Sequence, residues 1–176
     1  MSLFQWVTIL VPSVLQTTAS PWQAELGAIN AGCSGGNCGA PAMRTAAPIH
    51  LLALRTPHYF VTHTNPEDFP KFLGAWEKEL TAYNVYDWAW QLKAMLGHNI
   101  YKAYGLSAEN AAAAVRARVL VITSQQDHMV NPEPAREFAQ LLKAETMELT
   151  GDCGHLAFLC EEEMLRAAVM RFLNQK

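Results

Sequence analysis

Apolar residues recur along this chain with two different periods, and the change from one to the other divides it. From about residue 20 to residue 115 the spacing is helical. Ser20-Pro21-Trp22 pairs a capping residue with proline at a first helical position, which predicts a helix running toward Asn30. The glycines between Gly32 and Pro41 end it. Residues 45–55 form a second apolar, helical stretch, and Asn65-Pro66-Glu67-Asp68 predicts a helix start, with cap, proline and two acids favoured by the helix dipole, continuing to about Tyr83. Val85, Trp88, Ala89, Leu92, Met95 and Leu96 fall at three- and four-residue steps, as on one helix face.

The C-terminal third changes character. Arg118-Val119-Leu120-Val121-Ile122-Thr123 is a continuous apolar strand; a polar loop, a helix over 132–143, a strand over 146–150, a glycine-bearing loop and a last helix over 161–173 follow. This alternation predicts parallel strands flanked by helices. A further short strand is expected at Trp6-Val7-Thr8-Ile9-Leu10-Val11, ended by Pro12. The fold class is therefore α/β, with about three parallel strands and a helical insertion. Its divisions are residues 1–19, which hold the short strand, 20–115, the helical insertion, and 116–176.

Composition adds limits. Apolar residues make up 51% of the 176 positions and support a packed core. A net charge of -3, without clustered cations, gives no electrostatic reason for nucleic acid or an anionic membrane as partner, which leaves a small molecule. No run approaches the roughly 20 apolar residues of a membrane span. Leu3–Leu15 with Ala19-Ser20 superficially resembles a secretion signal but lacks a basic leader and contains Pro12, so a cytoplasmic location is expected. Cys33, Cys38, Cys153 and Cys160 match neither zinc spacing nor a dense secreted framework and are expected to be free thiols.

Candidate chemistry lies in two loops at the carboxyl ends of the predicted parallel strands, where such sheets bind ligands. The first, 124–132, carries Asp127; the second, 151–158, carries His155. Neighbouring strands deliver both to one rim. A carboxylate there can accept the imidazole N–H, fix its tautomer and stabilise the imidazolium formed when the ring takes a proton from a nucleophile. Each residue alone has a plain structural reading, Asp127 as a loop cap and His155 as a packed ring. Asn131 before Pro132 suits the capping role better, and the order acid then histidine favours catalysis.

Val119–Ile122 through Gln126-Asp127 and Val130-Asn131-Pro132-Glu133, then Asp152-Cys153-Gly154-His155-Leu156-Ala157-Phe158-Leu159, resemble the last two catalytic segments of homoserine O-acetyltransferase-like α/β-hydrolases. Ser20–Gln23 looks like that family's helix start after its sixth strand, and Asn84–Leu92 like its lid helix. The resemblance implies a Ser–Asp–His triad, with Asp127 and His155 as acid and base, residues 20–115 as a lid, and acyl transfer or hydrolysis. It implies a small-molecule acyl donor and acceptor, no bound cofactor, and acetyl-CoA or another acyl-CoA as co-substrate. The family's serine sits on a G-x-S-x-G elbow that aligns upstream of Phe4, outside this sequence, so the chain alone is expected to be inactive.

Gly32-Cys33-Ser34-Gly35-Gly36 imitates that elbow, but no strand precedes it, and neither Ser34 nor Cys33 is expected to be a nucleophile. Two charged positions that serve the amino-acid substrate in the family correspond here to Leu156 and Leu52, which argues against homoserine as acceptor; Arg55 lies one helical turn from Leu52. His50, His58 and His63 read as lid histidines rather than metal ligands. Trp76, Trp88 and Trp90 read as lid core or subunit contact. The rival reading is a non-catalytic hydrolase-like module that binds or self-associates, and a homo-oligomer is expected on either reading.

Overall fold

The computed structural model of the chain describes residues 20–33 and 38–175; the expected strand at 6–11 and Ser34 lie outside them. Helices α1 (Ser20–Gly32) and α2 (Ala40–Leu54) pack against each other through Trp22 and Ile29 on one and Ala42, Met43, Ala46 and Ala47 on the other. Small side chains on α2 let the helices approach closely. Gly32 is the limiting case: a Cβ there would lie 2.6 Å from the Cα of Ala42. The second helix begins five residues earlier than its apolar run suggests. Pro41 is the reason, since the first turn does not need the N–H that proline lacks.

Helices α3 (Pro57–His63), α4 (Phe69–Leu80) and α5 (Val85–Gly97) follow. Asn65 starts a turn rather than a helix. Its carbonyl accepts from Asp68 N and Phe69 N at 3.0 and 3.1 Å, and α4 opens at Phe69 with Pro70 in its first turn. Asn84 caps α5, its Oδ1 accepting from Tyr86 N and Asp87 N at 2.8 and 3.3 Å. A 3-10 turn (Ile100–Tyr104) and the short helix α6 (Ala108–Ala114) lead into the strands.

One carboxylate is enclosed within this helical layer. Glu25 on α1 is fully buried; Oε1 pairs with His50 Nδ1 of α2 at 3.0 Å, and Oε2 accepts from Trp88 Nε1 of α5 at 3.1 Å. A buried carboxylate is tolerated only when partnered, and here the two partners come from the two helices that pack on α1. His50 stands edge-on to Trp88 and stacks toward Trp76. Trp76 and Trp88 pack on the core as expected, whereas Trp90 is exposed.

Strands β1 (Leu120–Ser124) and β2 (Glu145–Leu149) pair in parallel, Leu120 opposite Glu145 and Ser124 opposite Leu149, connected by α7 (Glu133–Leu142). A 3-10 turn (Gly154–Leu156) and helices α8 (Ala157–Cys160) and α9 (Glu162–Asn174) complete the mixed α/β architecture. β1 is half-buried along its whole length rather than enclosed, because among the described residues it has a strand neighbour on one side only.

The cysteines correct the free-thiol expectation. Cys33 bonds Cys38 across the α1–α2 connection, and Cys153 bonds Cys160 around the 3-10 turn, with Cα separations of 4.4 and 6.4 Å that a disulfide spans. Spacing alone did not reveal this, because each pair meets only after the chain turns back on itself. Among the described residues no helix is long and apolar enough to cross a membrane.

Removing the enclosed carboxylate leaves two donors buried without acceptors. Glu25→Ala is expected to lower unfolding free energy by about 3 kcal/mol in urea denaturation, and Glu25→Gln, which keeps one acceptor, by less. Equal stability of all three proteins would refute this account of the helical layer.

Candidate active site

Parallel pairing sends the chain out of both strands at one end of the sheet. The two loops are stitched there: Gln125 N donates to Leu149 O at 2.9 Å, Ser124 Oγ to Gly154 O at 2.8 Å, and Gln126 Nε2 to Gly151 O at 3.3 Å. The structure brings Asp127 and His155 together on these loops. His155 Nδ1 lies 2.9 Å from Asp127 Oδ2, while Oδ1 of the same carboxylate accepts from Met129 N and Val130 N, each at 2.8 Å.

That division of labour fixes the acid's orientation. A carboxylate gripped through one oxygen by two backbone N–H groups can turn its other oxygen in only one direction. Because an ionised carboxylate only accepts, Nδ1 must carry the proton, and in the neutral ring Nε2 is then left as the basic nitrogen. The imidazole is 29% exposed and the Asp127 side chain 12%, so the ring reaches solvent while the carboxylate is shielded. Asn131 makes its own bond, Oδ1 accepting from Glu133 N at 3.0 Å at the start of α7; Asp127 caps its own loop through Oδ1 and keeps Oδ2 for the histidine. Among the described residues no hydroxyl or thiol is hydrogen-bonded to Nε2.

The helical layer meets the histidine loop directly. Gly154 has φ +62°, and a Cβ on it would sit 3.0 Å from Leu54 O and 3.2 Å from Arg55 Cα, so α2 ends against the residue preceding His155. Thr56, 1% exposed, caps α3 by accepting from Tyr59 N at 3.0 Å and donates to Asp152 O at 2.5 Å. Tyr59 packs on Leu149, Cys153 and Ala157. Met129, Val130 and Leu156 in turn pack into the core of the helical layer.

Leu156 is partly buried against the helices, and Leu52 is exposed. Arg55 lays its guanidinium 4.3 Å from the Tyr59 ring centroid and donates from Nη1 to Cys160 Sγ at 3.4 Å. His50 is held by Glu25, His58 lies 3.7 Å from Asp152 on the surface, and His63 stacks on Tyr59. Among the described residues no three potential ligands are grouped to hold a metal ion. The pattern along the sequence singled out Asp127 and His155 but passed over Thr56 and Glu25. Thr56-Pro57 carried a signal in the cap-and-proline pair that opens a helix.

No family model and no curated protein sequence matches the chain. Solved structures do. It superposes on homoserine O-acetyltransferase from Bacillus anthracis with a TM-score of 0.79 at 22% identity, covering 94% of this chain and 51% of that one. For the acetyl esterase MekB the values are 0.75 and 15%, over 89% and 49%. For homoserine O-acetyltransferase from Staphylococcus aureus they are 0.72 and 16%, over 94% and 49%. The chain thus spans about half the length of the structures it matches. The likeness is one of fold, a small parallel sheet flanked by helices as in part of an α/β-hydrolase fold with helical insertions.

Gly154→Ala forces a side chain into a left-handed backbone position with no space for it. A loss of about 1–2 kcal/mol is expected in thermal or urea unfolding, together with a changed ring 15N spectrum for His155. An unchanged spectrum would show that the α2 end does not govern the histidine.

Proposed function

We propose that this chain supplies the acid–base half of a serine-type acyl-transfer centre, with His155 as general base and then general acid, and Asp127 as the residue that orients it. The observation that carries this reading is the bond from His155 Nδ1 to an Asp127 carboxylate already anchored by two backbone N–H groups. Such an anchor leaves Nε2 as the proton acceptor. Nε2 would take the proton of a serine as its oxygen attacks an ester or thioester carbonyl. The ring would then return that proton to the departing alcohol or thiol. The acyl group passes on to an alcohol, amine, thiol or water by the same steps in reverse. Residues 20–115 act in this reading as a lid that excludes water and so favours transfer over hydrolysis. An acyl-CoA is a co-substrate compatible with it.

The serine is assigned to a polypeptide segment outside the described residues, because none of these presents a hydroxyl to Nε2. The packing of Leu156 into helices and the exposure of Leu52 support an acceptor other than a zwitterionic amino acid.

The chain by itself is expected to hydrolyse p-nitrophenyl acetate no faster than a matched blank. Co-expression with a hydrolase core half that bears a G-x-S-x-G elbow is expected to give turnover, and Asp127→Asn to lower kcat on the order of 10⁴-fold, since an amide can hold the wrong tautomer. Esterase activity of the chain alone that disappears in Ser34→Ala, with circular dichroism unchanged, would assign the nucleophile to Ser34 instead.

A second reading, self-association through the helical layer, is favoured by the exposure of Val61, Trp90 and Leu106, which are 80, 70 and 69% accessible. It predicts an oligomer in size-exclusion chromatography. A monomer at all concentrations speaks against it.

A further inference from the structure

We propose that Thr56 is a positioning residue for His155, its hydroxyl coupling helices α2 and α3 to the loop that carries the base. This rests on the reading of Asp127 and His155 as an acid–base pair. A threonine hydroxyl has one proton to give and lone pairs to accept with. Capping α3 uses only a lone pair, which accepts from Tyr59 N. The proton is free for another task, and it goes to the carbonyl of Asp152, 96 residues away in the chain and three before His155. Because the site is almost inaccessible, a competing water has no access, and leaving that carbonyl and hydroxyl unpaired would be costly.

The surroundings make this contact a constraint on position rather than one bond among many. Gly154, next to His155, is pressed against Leu54 and Arg55, the two residues that precede Thr56. The loop is thus fixed by contact at Gly154 and by a directional bond at Asp152, both made by one short segment of the helical layer. From the sheet side, Ser124 Oγ holds the carbonyl of Gly154. With β-branching limiting its χ1, threonine presents the hydroxyl in a defined direction. A displacement at Asp152 is transmitted along the loop to the ring, whose bond to Asp127 depends on direction as well as distance.

A role confined to capping would predict that Thr56→Val lowers stability and leaves the His155 ring as it is. The coupling predicts otherwise. In the wild-type chain, 15N NMR should show His155 with one protonated and one unprotonated ring nitrogen. Thr56→Val should move the two signals toward each other as the ring exchanges between tautomers, and Thr56→Ser, which keeps the proton, should restore the wild-type pattern. The Thr56 hydroxyl proton should also be protected from solvent exchange in the wild-type protein, a measurement that does not require any variant to fold.

Asp127→Asn is the control. If it leaves the His155 signals unchanged, the acid–base reading itself fails. If Asp127→Asn changes them and folded Thr56→Val does not, only the role of Thr56 is overturned. A hydroxyl proton in rapid exchange with bulk water overturns that role as well, whatever the variants show.

Discussion

Two five-residue strands running in the same direction are the constraint from which the site follows. With Ser124 opposite Leu149, the chain leaves both strands at one end, and the first residue beyond β1 is already bonded to the last residue of β2. An antiparallel pair would have sent the two loops to opposite ends, with Asp127 and His155 a strand length apart. Parallel pairing requires a crossover, and α7 supplies it. Asp127 and His155 contribute little to this arrangement. They are delivered by it, and the bonds between the loops then narrow the remaining freedom to one geometry.

Two buried polar side chains divide the work of holding the helical layer. Glu25 acts inward, drawing α2 and α5 onto α1 through His50 and Trp88. Thr56 acts outward, joining the end of that layer to the loop beneath it. Apolar packing crosses the same boundary, since Met129, Val130 and Leu156 lie against helical residues and Tyr59 lies against the cluster of Leu149, Cys153 and Ala157. Apolar contact alone is non-directional and allows sliding; the two polar anchors select one placement from those that packing permits.

The elements themselves were largely legible in the sequence, because long periodic runs such as 85–96 and the alternation of strand and helix after residue 118 are dictated locally. The meeting of Asp127 and His155 was legible for a related reason: strand ends mark where a parallel sheet gathers its loops. Element starts were less so. Asn65-Pro66 has the chemistry of a helix start and forms a turn instead, because Pro70 has no N–H to give the carbonyl of Pro66 and the ladder becomes continuous only from Phe69. The disulfides and Thr56 were hidden for a different reason. Their partners are chosen by how the chain folds back, and in the case of Thr56 the partner is a backbone carbonyl, which every residue possesses and no sequence pattern marks.

The bond between Cys153 and Cys160 turns the stretch containing His155 into a closed ring of polypeptide. One side of that ring is attached to β2 and the other to α9. The histidine therefore has two covalent routes to the rest of the molecule at each end, one through peptide bonds and one through sulfur. Severing any single peptide bond inside the ring leaves His155 attached to both neighbours, a redundancy of connection that Asp127, on an unclosed loop, does not share.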